Sequence, residues 1–171
     1  FFIPNLMHGG AEKVLVNLVN NLDRMKYDIT VYTLFDEGVN KKYLKDDISY
    51  RYFLKKIFKG NSIILKLFKP EFLYKHIIKD KYDVIVSYLE GPTARILWGC
   101  PYEETKKVSW IHIELNDKNL LSTGFRNFEE AKKGYESYDK IICVSNTVKQ
   151  IFEDVSGIKE NVEVLYNTNE T

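Results

Sequence analysis

A chain of 171 residues, 44% hydrophobic and 29% charged, with 25 Lys+Arg against 24 Asp+Glu, has the size of one α/β domain that removes roughly 70% of its unfolded-chain surface from water. Disorder is excluded by the supply of Leu, Ile, Val and Phe at a net charge of only +1, and that near-neutral balance argues against a dedicated nucleic-acid binder. Cys100 and Cys143 form no CxxC pair, which leaves no disulfide framework or structural zinc site and fits a reducing compartment.

No apolar run approaches the ~20 residues of a membrane-spanning helix, and no signal peptide is read. The chain opens on Phe1 rather than Met and is read as a piece of a longer protein. Charge is unevenly placed: residues 41–81 hold twelve Lys+Arg against Asp46, Asp47, Glu71 and Asp80, a local +8 that leaves −7 for the rest. Such an asymmetry points to an anionic partner on one face.

Phe1-Phe2-Ile3 ends a short apolar run, followed by Pro4 and a loop containing Gly9-Gly10. Ala11, Val14, Leu15, Leu18, Val19 and Leu22 recur at spacings of three and four, one helical stripe with Lys13, Asn17 and Asn20 on the far side. Alternation and β-branched residues predict a strand over 27–35, closed by Asp36-Glu37-Gly38, and a shorter edge strand over 48–54. Residues 55–69 mix basic and apolar side chains without a clear period. Pro70 seeds a helix over 71–79, with Phe72, Leu73, His76 and Ile77 on one side and His76 a core or boundary residue.

Val84-Ile85-Val86 reads as a buried parallel strand within 83–87. A short helix over 92–98, a strand over 107–111, a polar loop through 125 and a helix over 126–137 follow. Then come a strand over 140–144, a helix capped by Ser145 and ended by Gly157, and a last strand over 162–165. Strands alternating with helices, without hairpin turns, imply right-handed crossovers and a doubly wound, mostly parallel, Rossmann-like α/β sheet. Ligands of such sheets sit beyond the carboxyl ends of the strands.

The loops at those ends hold the candidate chemistry. Gly9 and Gly10 let backbone N–H groups approach a ligand just ahead of a helix N-terminus, which suits a phosphate or diphosphate; the same pair can simply close a turn. The loop is neither GxGxxG nor a Walker loop. Glu90 follows the 84–87 strand, where it either accepts hydrogen bonds from sugar hydroxyls or serves the dipole of the next helix. His112 stands at the end of the 107–111 strand, placed to bond a polar ligand, and Glu114 shares its side if the strand continues. His8, His112 and Glu114 show no metal-ligand spacing. Ser145, Asn146 and Asn167 line the same edge or serve as plain turn and cap residues, Trp98 and Trp110 read as core, and no GxSxG nucleophile elbow occurs.

Several pieces then fall in one order: Gly-Gly-Ala-Glu-Lys at 9–13, Ser-Trp-Ile-His at 109–112, Ile-Ile-Cys-Val-Ser-Asn at 141–146 and Val-Leu-Tyr-Asn at 164–167. Together they resemble the N-terminal domain of a family 4 glycosyltransferase of GT-B fold, of the bacterial capsule and surface-polysaccharide kind. The resemblance spans essentially all 171 residues and implies a two-domain retaining enzyme, of which this chain is the acceptor-side half, with the nucleotide-sugar domain beyond it. It implies Gly9 and Gly10 near the donor diphosphate and sugar, His112 at the donor sugar, and Glu90 among donor or acceptor contacts. Asn167 falls at the end of the domain, where Thr168 stands in place of the usual Pro. The nucleotide-sugar is a substrate, with no cofactor and no metal required, and the domain alone is expected to be inactive.

The resemblance also gives Lys55, Lys56, Lys59, Lys66 and Lys69, interleaved with apolar residues, a use at an anionic membrane surface. A packed helix with solvated lysines is the plainer reading. The acceptor is a glycan or lipid-linked molecule, nucleic acid is not a partner, and the expected location is cytoplasmic or peripheral on the inner face of the plasma membrane. A sugar-nucleotide epimerase of the same fold and a non-catalytic Rossmann-like binding module are the alternatives.

Overall fold

The computed structural model describes residues 1–167. Seven strands form one all-parallel sheet: β1 (Phe2–Ile3), β2 (Thr30–Phe35), β3 (Ser49–Leu54), β4 (Val84–Ser87), β5 (Lys106–Ile111), β6 (Lys140–Cys143) and β7 (Val162–Val164), in the order β3-β2-β1-β4-β5-β6-β7. The described helices are α1 (Gly10–Asn21), α2 (Asn61–Lys66), α3 (Pro70–Ile77), α4 (Pro92–Trp98), α5 (Lys118–Leu121), α6 (Phe128–Glu136) and α7 (Asn146–Ser156), with a 3₁₀ turn at Val39–Tyr43. The expected doubly wound, Rossmann-like α/β class is the observed one.

Alternation along the strands builds two cores. On one face Phe2, Leu34, Ile85, Ile111 and Ile141 pack with Leu73, Tyr74, Ile77, Leu97, Tyr135 and Phe152 of α3, α4, α6 and α7. On the other, Ile3, Val31, Val86, Trp110 and Ile142 join Leu15, Val16 and Val19 of α1. Each fully buried aliphatic side chain stabilises the fold by about 1.5–3 kcal/mol. Ser145 accepts from Val148 N–H at 3.1 Å to cap α7, and Gly157 ends that helix at φ +73°.

Three local expectations need correction. Val84 is exposed at the strand's first position, so of the apolar run only Ile85 and Val86 are buried, with Ser87 after them. Phe72 and His76 do not share the core side of α3; they are exposed and stack on each other at 4.0 Å between ring centroids, while Leu73 and Ile77 face inward. The polar loop through 125 contains α5, capped by the Asp117 side chain, which accepts from Leu120 N–H at 2.8 Å.

Candidate functional site at the carboxyl rim

The chain leaves β1 toward β2 and β3 on one side and later crosses to β4 on the other, so the sheet's topological switch point lies between β1 and β4. A crevice opens outside the strand ends at such a point. Because every strand is parallel, the turns after β1, β4, β5, β6 and β7 share one rim. Neighbouring strands stand ~4.8 Å apart, which puts the ends of β1 and β5 about 10 Å apart and those of β1 and β7 about 19 Å apart. The turns that carry Gly10, Glu90 and His112 therefore leave strands at or beside the switch point, whereas Asn167 follows β7 at the edge of the sheet.

The β1–α1 turn is held firmly. Leu6 is buried and donates to Glu37 O at 2.9 Å, Asn40 N–H donates to Leu6 O at 3.0 Å, and the Asn40 amide donates to Met7 O at 2.6 Å. A Cβ on Gly38, whose φ is +132°, would fall 1.9 Å from the Leu6 carbonyl carbon, so only glycine lets the two segments touch. Behind this turn the Tyr50 hydroxyl donates to Asp36 at 2.8 Å, and the Lys41 bond lowers the Asp36 pKa. Gly9 is the N-cap of α1, and a Cβ there would fall 1.9 Å from Glu12 Oε2, so the Glu12 carboxylate lies over the helix N-terminus. Nothing would meet a Cβ on Gly10 within 4 Å.

The β4–α4 turn is equally fixed. Tyr88 N–H donates to Phe2 O at 2.9 Å, Ser87 Oγ donates to Leu89 O at 2.8 Å, and Gly91 N–H reaches the buried Tyr135 hydroxyl at 3.3 Å. Glu90 takes a role that the sequence alone does not suggest: its Oε2 accepts the backbone N–H of His112 at 2.9 Å, tying the ends of β4 and β5 together. Burial raises the Glu90 pKa, against the lowering effect of that bond.

His112 is half-buried, with its ring 4.8 Å from that of Tyr88. Burial lowers its pKa to about 4, against a raising hydrogen bond to the Tyr88 backbone. The imidazole is thus neutral at pH 7. Its Nε2, the Tyr88 hydroxyl and the Trp110 indole N–H are buried without a hydrogen-bond partner among the described residues. Such groups are costly to leave unpaired, by about 1–3 kcal/mol each. The rim thus holds a neutral imidazole whose Nε2 is enclosed.

The remaining candidates are less engaged. β5 stops at Ile111, so strand alternation does not carry Glu114 to the side of His112; Glu114 is exposed and its carbonyl accepts from the Asn116 amide. Asn146 is exposed and donates to the Tyr166 hydroxyl at 2.9 Å, Ser145 serves as the α7 cap, and Asn167 is half-buried at the last described position. His8 is exposed on the β1–α1 turn, and among the described residues no three His, Cys, Asp or Glu side chains gather where a metal ion could be held. A hollow of about 760 Å³ lies at the opposite, amino-terminal ends of the strands, among Thr30, Tyr82 and Val84, and is separate from this rim.

A family model described as Glycosyltransferase Family 4 matches residues 8–168. The chain belongs to this glycosyltransferase family. No curated protein matches it. The family 4 assignment and the parallel sheet together make this domain one Rossmann-like half of a GT-B fold. Among the described residues no helix is long and apolar enough to cross a membrane.

Proposed function

We propose that this family 4 domain is the acceptor-side half of a retaining transferase, which moves a sugar from a nucleotide-sugar to a glycan or lipid-linked acceptor in polysaccharide biosynthesis. The observation that carries this reading is the rim itself: the N-terminus of α1, Glu90 and His112 on the strands at and beside the switch point. The α1 N–H groups and helix dipole would stabilise charge on the departing nucleoside diphosphate. A donor diphosphate at this N-terminus would have to displace the Glu12 carboxylate that lies over it. Neutral His112 accepts from a sugar hydroxyl, and Glu90 positions His112 by holding its backbone. Residues that bind most of the nucleotide belong to a second domain outside this sequence.

The enzyme works on the cytoplasmic face of the plasma membrane in this reading. Support comes from residues 52–72, where Phe53, Ile57, Phe58, Ile63, Leu67 and Phe68 are all exposed and lie among Lys55, Lys56, Lys59, Lys66 and Lys69, none of which forms an ion pair among the described residues. An exposed apolar patch of this kind rimmed by cations suits an anionic lipid surface.

The test uses the full-length protein with a panel of nucleotide-sugars and acceptors presented in neutral or anionic vesicles. Sugar should reach the acceptor with its anomeric configuration retained, and the protein should sediment with anionic vesicles in preference to neutral ones. Conversion of donor without any acceptor would instead mark an epimerase. Tight nucleotide binding by the 171-residue chain alone, without transfer by the full-length protein, would mark a binding module. Equal recovery with both vesicle types would remove the membrane surface.

A further inference from the structure

A second hollow, of about 650 Å³, opens beside the rim between α2, α5 and the start of α6. Three cations from separate elements line it: Lys66 of α2, Lys118 of α5, and Arg126 ahead of α6. Ser62, Asn119 and Thr123 add hydroxyl and amide groups, and no carboxylate lines the hollow among the described residues. Its volume falls within the range of small-molecule sites.

The cations are placed rather than loose. Arg126 Nε donates to Lys66 O at 2.7 Å and lies 3.7 Å from Glu130 Oε2, contacts that orient the guanidinium at the edge of the hollow. Lys118 Nζ lies 4.8 Å from the centroid of the Phe128 ring. Pro92 forms part of the wall, two residues after Glu90, and Gly124 packs so closely on this turn that a Cβ would fall 2.3 Å from Pro92 N. The hollow is therefore joined through backbone contact to the turn that holds His112.

Helix α2 has two uses. Ser62 and Lys66, four apart on one face, line the hollow. Ile63 and Leu67, the next residues around, are 67% and 70% exposed. A ligand with an anionic head and an apolar tail would meet both faces of one short helix.

We propose that this hollow binds a phosphoryl group carried by the acceptor, with α2 accommodating the apolar part of a lipid-borne one. The proposal rests on the transferase reading for the word acceptor; the anion site itself does not. Phosphate fits because cationic donors converging from three elements match an oxyanion with several acceptor oxygens.

The test is calorimetric titration of the full-length protein with dodecyl phosphate, below its micellar concentration, and with inorganic phosphate. Dodecyl phosphate should bind, and Lys66→Gln/Lys118→Gln should weaken it by at least about tenfold. The control Lys26→Gln/Lys159→Gln, at exposed lysines outside the hollow, should change it less than about twofold. Ile63→Ser/Leu67→Ser should weaken dodecyl phosphate while leaving inorganic phosphate unchanged. Thermal melts show that each variant is folded. Absence of binding by both probes, or equal affinity before and after Lys66→Gln/Lys118→Gln, overturns the site. Equal affinity for the two probes keeps the anion site and overturns the lipid-borne source. Loss of the transferase reading with lysine-dependent binding intact would separate the two claims.

Discussion

Replacing Arg95 by Met is expected to lower the stability of the domain by about 3–5 kcal/mol, the size seen when one partner of a buried pair is removed. For a chain of this length that is a drop in melting temperature of roughly 6–20 °C. Arg95 is 1% exposed in the middle of α4. Its Nε donates to Glu130 Oε1 at 2.7 Å, and its two terminal nitrogens donate to Leu65 O at 3.0 Å and Phe68 O at 2.8 Å. Burial alone would raise the Glu130 carboxyl; the bonds from Arg95 and Arg126 outweigh it and leave the Glu130 pKa lowered.

Met at 95 fills the space of the stem, but takes the buried cation from Glu130, leaving it only Arg126, and frees two carbonyls at and beyond the end of α2. That helix has no fully buried residue of its own; the Arg95 bonds hold it to the body together with the Leu65 packing and the Arg126 bond to Lys66 O. Limited proteolysis should cut near residues 60–69 in the variant before global unfolding. The exposed-side pair Lys149–Glu153 at 3.8 Å provides the contrast, and Lys149→Gln should cost under about 1 kcal/mol. A loss below about 1 kcal/mol for Arg95→Met would show that α2 is held by its other contacts.

The second large effect is linked to pH. The His112 imidazole titrates near 4 when folded, because burial disfavours its cation, against about 6.5 in the unfolded chain. Its folded pKa is depressed, so the unfolded state takes up the proton first as pH falls. Stability is full above the unfolded value and is lost between about pH 6.5 and 4, by about 3 kcal/mol in all and by about 2 kcal/mol at pH 5. Glu90 acts in the opposite sense: its raised folded pKa makes the native state bind a proton more readily and adds stability as the solution becomes acidic.

Urea unfolding at pH 7 and pH 5 separates the two. The wild-type protein should lose about 2 kcal/mol more than His112→Gln across that interval, and Glu90→Gln should steepen the wild-type loss. Parallel slopes for wild type and His112→Gln would place the imidazole in water rather than in the rim. The same neutrality bears on function, because a neutral His112 bonds a sugar without adding charge, and this should hold down to about pH 5.

The fold was legible because its signals are local and periodic. The stripe from Ala11 to Leu22, the run Val84-Ile85-Val86 and the Ser145–Gly157 cap pair each state their own structure. What stayed hidden depends on partners distant in sequence. Nothing near Asn40 announces that it holds the carbonyls of Leu6 and Met7, and nothing near Arg95 announces Leu65, Phe68 and Glu130. His76 misleads because its spacing matches the core stripe, while its actual neighbour is the exposed ring of Phe72. Glu90 and His112 could each be placed at a strand end from spacing. That the carboxylate of one grips the backbone of the other follows only from β4 and β5 lying side by side. Glu114 shows the converse limit, since its side depended on a strand that ends at Ile111.

The most direct test of a shared crevice between the first turn and His112 is a magnetic resonance titration of the full-length protein, labelled at glycine amides and histidine rings, with UDP-hexose and GDP-hexose in turn. The account predicts that the Gly10 amide and the His112 ring shift along one saturation curve while Gly99 and Gly157, at the far ends of their helices, stay still. Shifts at Gly99 or Gly157 with Gly10 and His112 unmoved would contradict it.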